Sequence, residues 1–247
     1  MKKGVIMNLS QKYRPTKFED ILGQEDIIFI LRNQIAKKRI GSSYLFLGPS
    51  GSGKTTTARV LAMAMNCEHP IKGNPCGRCN SCQSMKHGPT YDVVELDIGS
   101  YRGIDSIKQI EMTTKFMPFG KKKIYILDEV HALTPQAWDA TLKMLEDCGD
   151  HILFILCSSE NDVPEVARSR CQEFTFQRLE SKTIAKKLAI INQKERFGLD
   201  LNSLRFIAEF AQGNMRSAEM MLTQVINLNH GNPKPRQIRK FLQMRMQ

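Results

Sequence analysis

The sequence predicts an α/β fold with a mostly parallel, five-stranded sheet over its first part, followed by a small all-helical domain. Two observations carry this. Short apolar, β-branched runs recur between helix-like stretches at 44–47, 91–96, 123–127, 152–157 and 173–176, the alternation expected when crossover helices join parallel strands. After Gln177 the strand-like runs cease and apolar-periodic segments take over. With 247 residues, 41% of them hydrophobic, the chain can bury the core such a fold needs.

Taken in order, the run Ile124, Tyr125, Ile126, Leu127 is apolar throughout, as a strand covered on both faces is, and is expected at the centre of the sheet. In the helical part, Ser181 is placed to cap a helix running to about Phe197, Asn202 or Ser203 to cap a second, and residues 215–228 form a third. A linker, His230-Gly231-Asn232-Pro233-Lys234-Pro235, precedes a basic stretch, 236–247, too short for a domain. The expected division is 1–177 for the α/β domain and 178–247 for the helical one. No internal repeat or low-complexity tract interrupts this plan.

Composition narrows the class of protein. The 36 Lys and Arg against 25 Asp and Glu leave a formal charge of +11, which favours a polyanionic partner such as nucleic acid. The N-terminal MKKGVIMNLSQKYRP lacks an apolar stretch long enough for a secretory signal, and no later window approaches a membrane span, so a soluble cytoplasmic chain is expected. Seven cysteines in such a chain read as thiols or metal ligands rather than disulfides.

Between the first strand and the following helix lies Gly48-Pro49-Ser50-Gly51-Ser52-Gly53-Lys54-Thr55-Thr56, a P-loop in its required context. Glycines let backbone N–H groups turn toward a β-phosphate, and the helix N-terminus adds positive potential. Lys54 reaches β and γ oxygens, and Thr55 ligates magnesium. At the end of the apolar strand, Asp128 and Glu129 emerge at the carboxyl edge of the sheet, where Asp128 is placed for magnesium and Glu129 for activating water. A Gly-rich turn and an acidic strand end without chemistry are the plainer readings of each motif, but neither accounts for the pair.

Cys67, Cys76, Cys79 and Cys82 are separated by eight, two and two residues, between the P-loop helix and the second strand. Four thiolates suit tetrahedral zinc, and because they fill its coordination sphere the site is expected to be structural. This zinc module covers about 67–82. Cys148, Cys157 and Cys171 have no such spacing and read as buried or incidental thiols.

Asp128-Glu129-Val130-His131 resembles the acidic box of clamp-loader ATPases, an AAA+ family, and the likeness runs through nearly the whole chain. Tyr13-Arg14-Pro15 and Phe18-Glu19-Asp20-Ile21-Leu22-Gly23-Gln24 resemble the family's N-terminal signature, which implies that Tyr13, Pro15, Ile21 and Gln24 lie near adenine. Residues 140–147 resemble the helix after the acidic box. Ser169-Arg170-Cys171 resembles the tripeptide that carries the arginine finger, which implies that Arg170 serves a neighbour's site. Ser158 falls at the polar sensor position, usually Thr or Asn in relatives, with Ser159 as the alternative. Gly213-Asn214-Met215-Arg216-Ser217-Ala218 resembles the element whose arginine reaches the γ-phosphate from a helical lid, the role implied for Arg216. The cysteine spacing is similar to the zinc module of the tau/gamma subunits of bacterial DNA polymerase III.

The resemblance also implies partners. Residues 101–108 are similar to the segment that tracks DNA, giving Arg102 and Lys108 as phosphate contacts. Phe116-Met117-Pro118-Phe119-Gly120 falls where relatives present an apolar loop to the clamp, although packing in the core accounts for it equally well. His131, Trp138 and the methionines read as packing or surface residues. The implied cofactors are ATP, Mg2+ and structural Zn2+; the implied partners are other clamp-loader subunits in a ring or spiral, a sliding clamp and primer-template DNA. ATP binding would assemble a spiral that opens the clamp, and hydrolysis would release it onto DNA. The family's third, collar domain has no counterpart in these residues. An AAA+ ATPase of another DNA-remodelling machine, in transposition or defence, and a non-hydrolysing structural subunit are the alternatives.

Overall fold

Strands form at β1 Ser43–Leu47, β2 Val93–Asp97, β3 Lys123–Asp128, β4 Ile152–Ser158 and β5 Gln172–Thr175. The computed structural model describes residues 8–101, 103–228 and 235–244. The principal helices are α1 Leu9–Lys12, α2 Glu25–Ala36, α3 Lys54–Asn66, α4 Asn80–Lys86, α5 Ile104–Thr114, α6 Pro135–Asp147, α7 Glu165–Arg168, α8 Ser181–Glu195, α9 Leu201–Phe210, α10 Met215–Asn227 and α11 Pro235–Gln243. No described helix is long and apolar enough to cross a membrane.

The residues divide into two units, one of Pro15–Pro49 and Gly53–Phe176, the other of Met1–Arg14, Ser50–Ser52 and Gln177–Gln247. The first is the α/β unit. Its five strands are all parallel in the order β2-β3-β4-β1-β5. The central strand is therefore β4, not β3 as the apolar run at 124–127 had implied. Both runs are buried throughout, so an apolar pattern marks an interior strand without ranking two of them. β2 begins at Val93 rather than at 91, because Thr90 and Val93 bridge across a turn.

Side-chain alternation puts a core on each face of the sheet. Tyr44, Phe46, Ile124, Ile126, Leu153 and Ile155 pack with Ile28 and Leu31 of α2 and Ala58 and Leu61 of α3. On the opposite face Leu45, Tyr125, Leu127, Phe154 and Leu156 meet Ile107 of α5 and Trp138 and Leu145 of α6. Trp138 is thus a packing residue, as expected. Register brings the strand ends level where chemistry is expected, with Leu47 opposite Ser158 and Asp97 opposite Asp128.

The second unit is helical. Leu9, Ile184, Leu188, Ile191, Leu204, Ile207, Leu222, Val225 and Ile238 form its core. Of the N-terminal segment expected within 1–177, the described residues 8–14 belong with this unit; Leu9 is 1% exposed within the helical core. Two helix starts differ by a residue or more from those expected. Glu180, not Ser181, occupies the cap of α8, and Asp200 caps α9 by accepting from the Ser203 amide at 2.7 Å. Asn202 and Ser203 fall inside the first turn. Asn214 caps α10 through the Ser217 amide at 2.9 Å. Pro235–Gln243 is helical, while the rest of the expected linker, 230–234, lies outside the described residues.

Candidate nucleotide site and cysteine cluster

The loop after β1 needs glycine at its first position for a steric reason. Gly48 has φ +137°, and a Cβ there would sit 2.3 Å from the Phe176 carbonyl oxygen. Gly53, also at positive φ, leads into α3 without a side-chain cap. The N-terminus of that helix faces the loop, where the helix dipole favours an anion. Lys54 opens the helix, 5% exposed, with Nζ donating to the carbonyl oxygens of Gly48 at 2.7 Å and Pro49 at 3.1 Å.

Across the sheet edge, Thr55 Oγ1 donates to Asp128 Oδ2 at 2.7 Å. Two hard oxygen donors from the P-loop helix and the end of β3 therefore meet, the donor type magnesium takes. Burial pushes the Asp128 carboxyl above its ordinary range and Glu129 adds to this, while the Thr55 hydrogen bond and the Lys54 charge pull it back. Glu129 follows in the left-handed region, φ +56° and ψ 44°, where a side chain is strained. That turn ends the strand and places its carboxylate against Ser159, whose Oγ donates to Glu129 Oε2 at 2.6 Å.

The two serines thus separate. Ser158 is fully buried and donates to the Glu160 carbonyl oxygen at 2.7 Å, whereas Ser159 touches Glu129. His131, read from sequence as packing or surface, lies within the same network. Its Nδ1 is 3.2 Å from Ser158 Oγ and 3.3 Å from Glu129 Oε2, and its Nε2 is 3.7 Å from Glu160 Oε1. The signal was present in the motif: a side chain two residues beyond Glu129, in the short 3-10 turn Val130–Ala132, folds back toward it.

The remaining expected residues lie elsewhere in their units. Arg170, after α7, gives Nε to Glu146 Oε1 at 2.6 Å and Nη1 to the Val166 carbonyl oxygen at 2.7 Å. Pro15, Ile21 and Gln24 belong to the α/β unit, with Gln24 5% exposed just before α2. Tyr13 and Arg216 belong to the helical unit. The Tyr13 hydroxyl donates to Glu195, and burial, with Glu195 beside it, pushes its pKa up to about 12. Arg216 is exposed in the first turn of α10. Lys108 is exposed on α5, and Arg102 lies outside the described residues. Phe116, Met117 and Phe119 are exposed, so core packing does not account for that loop; Tyr91 lies 4.6 Å from the Phe119 ring.

Cys67, Cys76, Cys79 and Cys82 converge, their sulfurs all within 4.8 Å of one another. Backbone amides point at the sulfurs, from Cys76 to Cys67 Sγ at 3.2 Å and from Cys79 to Cys76 Sγ at 3.3 Å. Amide donors, first those of Arg78 and Cys79, pull the Cys76 thiol down to about 6, while burial pushes Cys67 and Cys82 up. Gly77 takes φ +71° in the turn between the ligand candidates. Four sulfurs at this separation, with N–H donors to them, fit a tetrahedral thiolate site. Cys157 is buried in the sheet core, as expected of an incidental thiol.

A family model described as DNA polymerase III, delta subunit, matches residues 23–180. The tau subunit of DNA polymerase III from Bacillus subtilis is 40% identical over 223 residues, covering 90% of this chain and 40% of that protein. The gamma/tau subunit from Mycoplasma pneumoniae is also 40% identical, with 33% of its length covered. The chain therefore spans between a third and two fifths of these relatives. Among solved structures, the Thermotoga maritima RuvB Holliday junction branch migration motor matches with a TM-score of 0.68 at 14% identity, covering 94% of this chain and 72% of that one. This likeness shows an α/β P-loop NTPase-like fold.

Proposed function

From the premise that the chain belongs to the DNA polymerase III delta subunit family, we propose that it is an ATP-hydrolysing clamp-loader subunit acting in DNA replication. The observation that carries the ATPase reading is the Thr55–Asp128 hydrogen bond of 2.7 Å with Glu129 next in the chain, because it joins P-loop and acidic pair into one site. Gamma and tau subunits of DNA polymerase III among the relatives support the clamp-loader assignment.

Lys54 and the N-terminal amides of α3 bind and orient the β and γ phosphates. Thr55 and Asp128 would hold a magnesium ion, which when bound would supply charge neutralisation at the phosphate oxygens. Glu129 accepts a proton from the attacking water, and Ser159, the polar sensor in this reading, fixes the orientation of that carboxylate. Arg170 leaves Glu146 to enter a neighbouring subunit's site, where a guanidinium stabilises the charge of phosphoryl transfer. Arg216 is assigned the role of a γ-phosphate sensor, and Tyr13, Pro15, Ile21 and Gln24 that of adenine contacts.

Cys67, Cys76, Cys79 and Cys82 would hold a structural zinc ion, which when bound would order residues 67–82. Lys108 and Arg102 contact DNA, and the exposed Phe116-Met117-Phe119 loop meets the sliding clamp. The decisive experiment reconstitutes the chain with partner subunits, clamp and primed DNA. Clamp and DNA should raise turnover, and Arg170→Ala should then lower it by a factor on the order of 10³ or more while ATP binding persists. Turnover indifferent to the clamp, or unchanged in Arg170→Ala, contradicts the assignment.

A further inference from the structure

The net charge of the chain is not shared between its two units. Among the described residues, the helical unit carries 13 Lys and Arg against 5 Asp and Glu, whereas the α/β unit carries 18 against 20. The positive excess of the described residues therefore belongs entirely to the unit that contains neither Lys54 nor the acidic pair. Concentrated like charge opposes compaction through self-repulsion, and a bound polyanion offsets it.

The basic side chains stand on the outside of this unit. Lys186 on α8, Arg205 on α9 and Arg236, Arg239 and Lys240 on α11 are exposed. On α11 the three cations recur at i, i+3 and i+4 and so share one face, while Ile238 enters the core. A groove between α8 and α9 has Ala185, Ala189 and Leu204 among its lining and Lys182, Lys186 and Arg205 beside them. α9 packs against both α8 and α11, and the Arg239 guanidinium lies 5.2 Å over the Phe206 ring of α9. Counter-charges are few: Glu180 pairs with Lys182 at 2.6 Å, and Glu209 lies in the groove. Lys186, Arg205, Arg236 and Lys240 form no ion pair with a described residue.

We propose that the exposed basic faces of α8, α9 and α11 form a nucleic-acid-binding surface that holds the phosphodiester backbone, distinct from the segment around Lys108. Cations of one sign spread over three helices suit a polymeric anion better than a single acidic side chain in a pocket. Bonds to phosphate position a duplex or strand without reading its sequence. The proposal rests on charge placement and is independent of the ATPase reading.

The test measures fluorescence anisotropy of labelled duplex and single-stranded DNA of unrelated sequences with the full chain across a salt series. The quadruple variant Lys186→Ala, Arg205→Ala, Arg236→Ala, Lys240→Ala should weaken binding more than about tenfold on every sequence. Its log–log salt slope on duplex should be shallower by up to about 0.9 for each phosphate the variant no longer neutralises. Lys186→Arg with Lys240→Arg should retain binding. Binding of a fluorescent ATP analogue by the same preparations reports that the fold is intact, and its failure in the unmodified chain would count against the ATPase reading alone. Three results overturn the proposal: no DNA binding at low salt, equal affinity and slope in the quadruple variant, or loss confined to Lys108→Ala. Loss of binding to polyglutamate or anionic vesicles in the quadruple variant, with DNA binding unchanged, assigns the surface to another partner and also overturns it.

Discussion

Glu129 shows how much chemistry one residue's surroundings decide. A carboxylate that is to take a proton from water must be oriented without being neutralised, and here a neutral hydroxyl from Ser159 holds it at 2.6 Å. Ser159→Ala should lower turnover about tenfold, the equivalent of one hydrogen bond to a charged group, with ATP affinity unchanged. Steady-state ATPase assays beside equilibrium ATP titration check this; unchanged turnover removes Ser159 from the mechanism. Asp128, Glu129, Lys54 and Thr55 were legible in sequence because each sits at a fixed offset within a short motif. Which of Ser158 and Ser159 touches Glu129 was not, since it depends on where β4 stops and which way the next side chain turns. The place of His131 depends equally on the left-handed turn at Glu129.

At the scale of elements, the sheet was legible because its strands are short, apolar and separated by helices. Which interior strand is central was not, because order is fixed by pairing between distant segments. The cysteine cluster was legible from spacing alone, and the fold brings its four sulfurs together. Protein purified without chelator should contain about one zinc per chain, and removing it should lower the melting temperature, since metal binding is folding free energy for a small site. Metal analysis well below one equivalent contradicts the zinc reading.

Helix α10 carries a different liability. Glu219 is 6% exposed, and burial pushes its carboxyl up to about 7, with Lys187 and Arg216 pulling it down only in part. The folded state therefore holds this proton more tightly than the unfolded chain does, so stability falls as pH rises from about 4.5 through about 7 and levels off above. The full effect is on the order of 3 kcal/mol. Glu219→Gln should be more stable than the unmodified chain at pH 8 and equal to it near pH 4.5, as denaturant unfolding at the two values measures. Identical pH profiles contradict this account of Glu219.

For the whole molecule, the boundary near residue 177 could be placed from the change in apolar period, but the return of the N-terminal segment to the helical unit could not. Leu9 is one apolar residue in a short helix, and nothing local says which core receives it. Charge segregation was likewise hidden, because a total of +11 says nothing of its distribution until the two units are known. What the whole chain is proposed to do still depends on the few residues at the edge of the sheet. Comparing ATP turnover and ATP affinity for the unmodified chain and Glu129→Gln tests that dependence most directly. Loss of the base should reduce turnover by a factor on the order of 10² to 10⁴ while affinity is retained; equal turnover in the two proteins would contradict hydrolysis at this site.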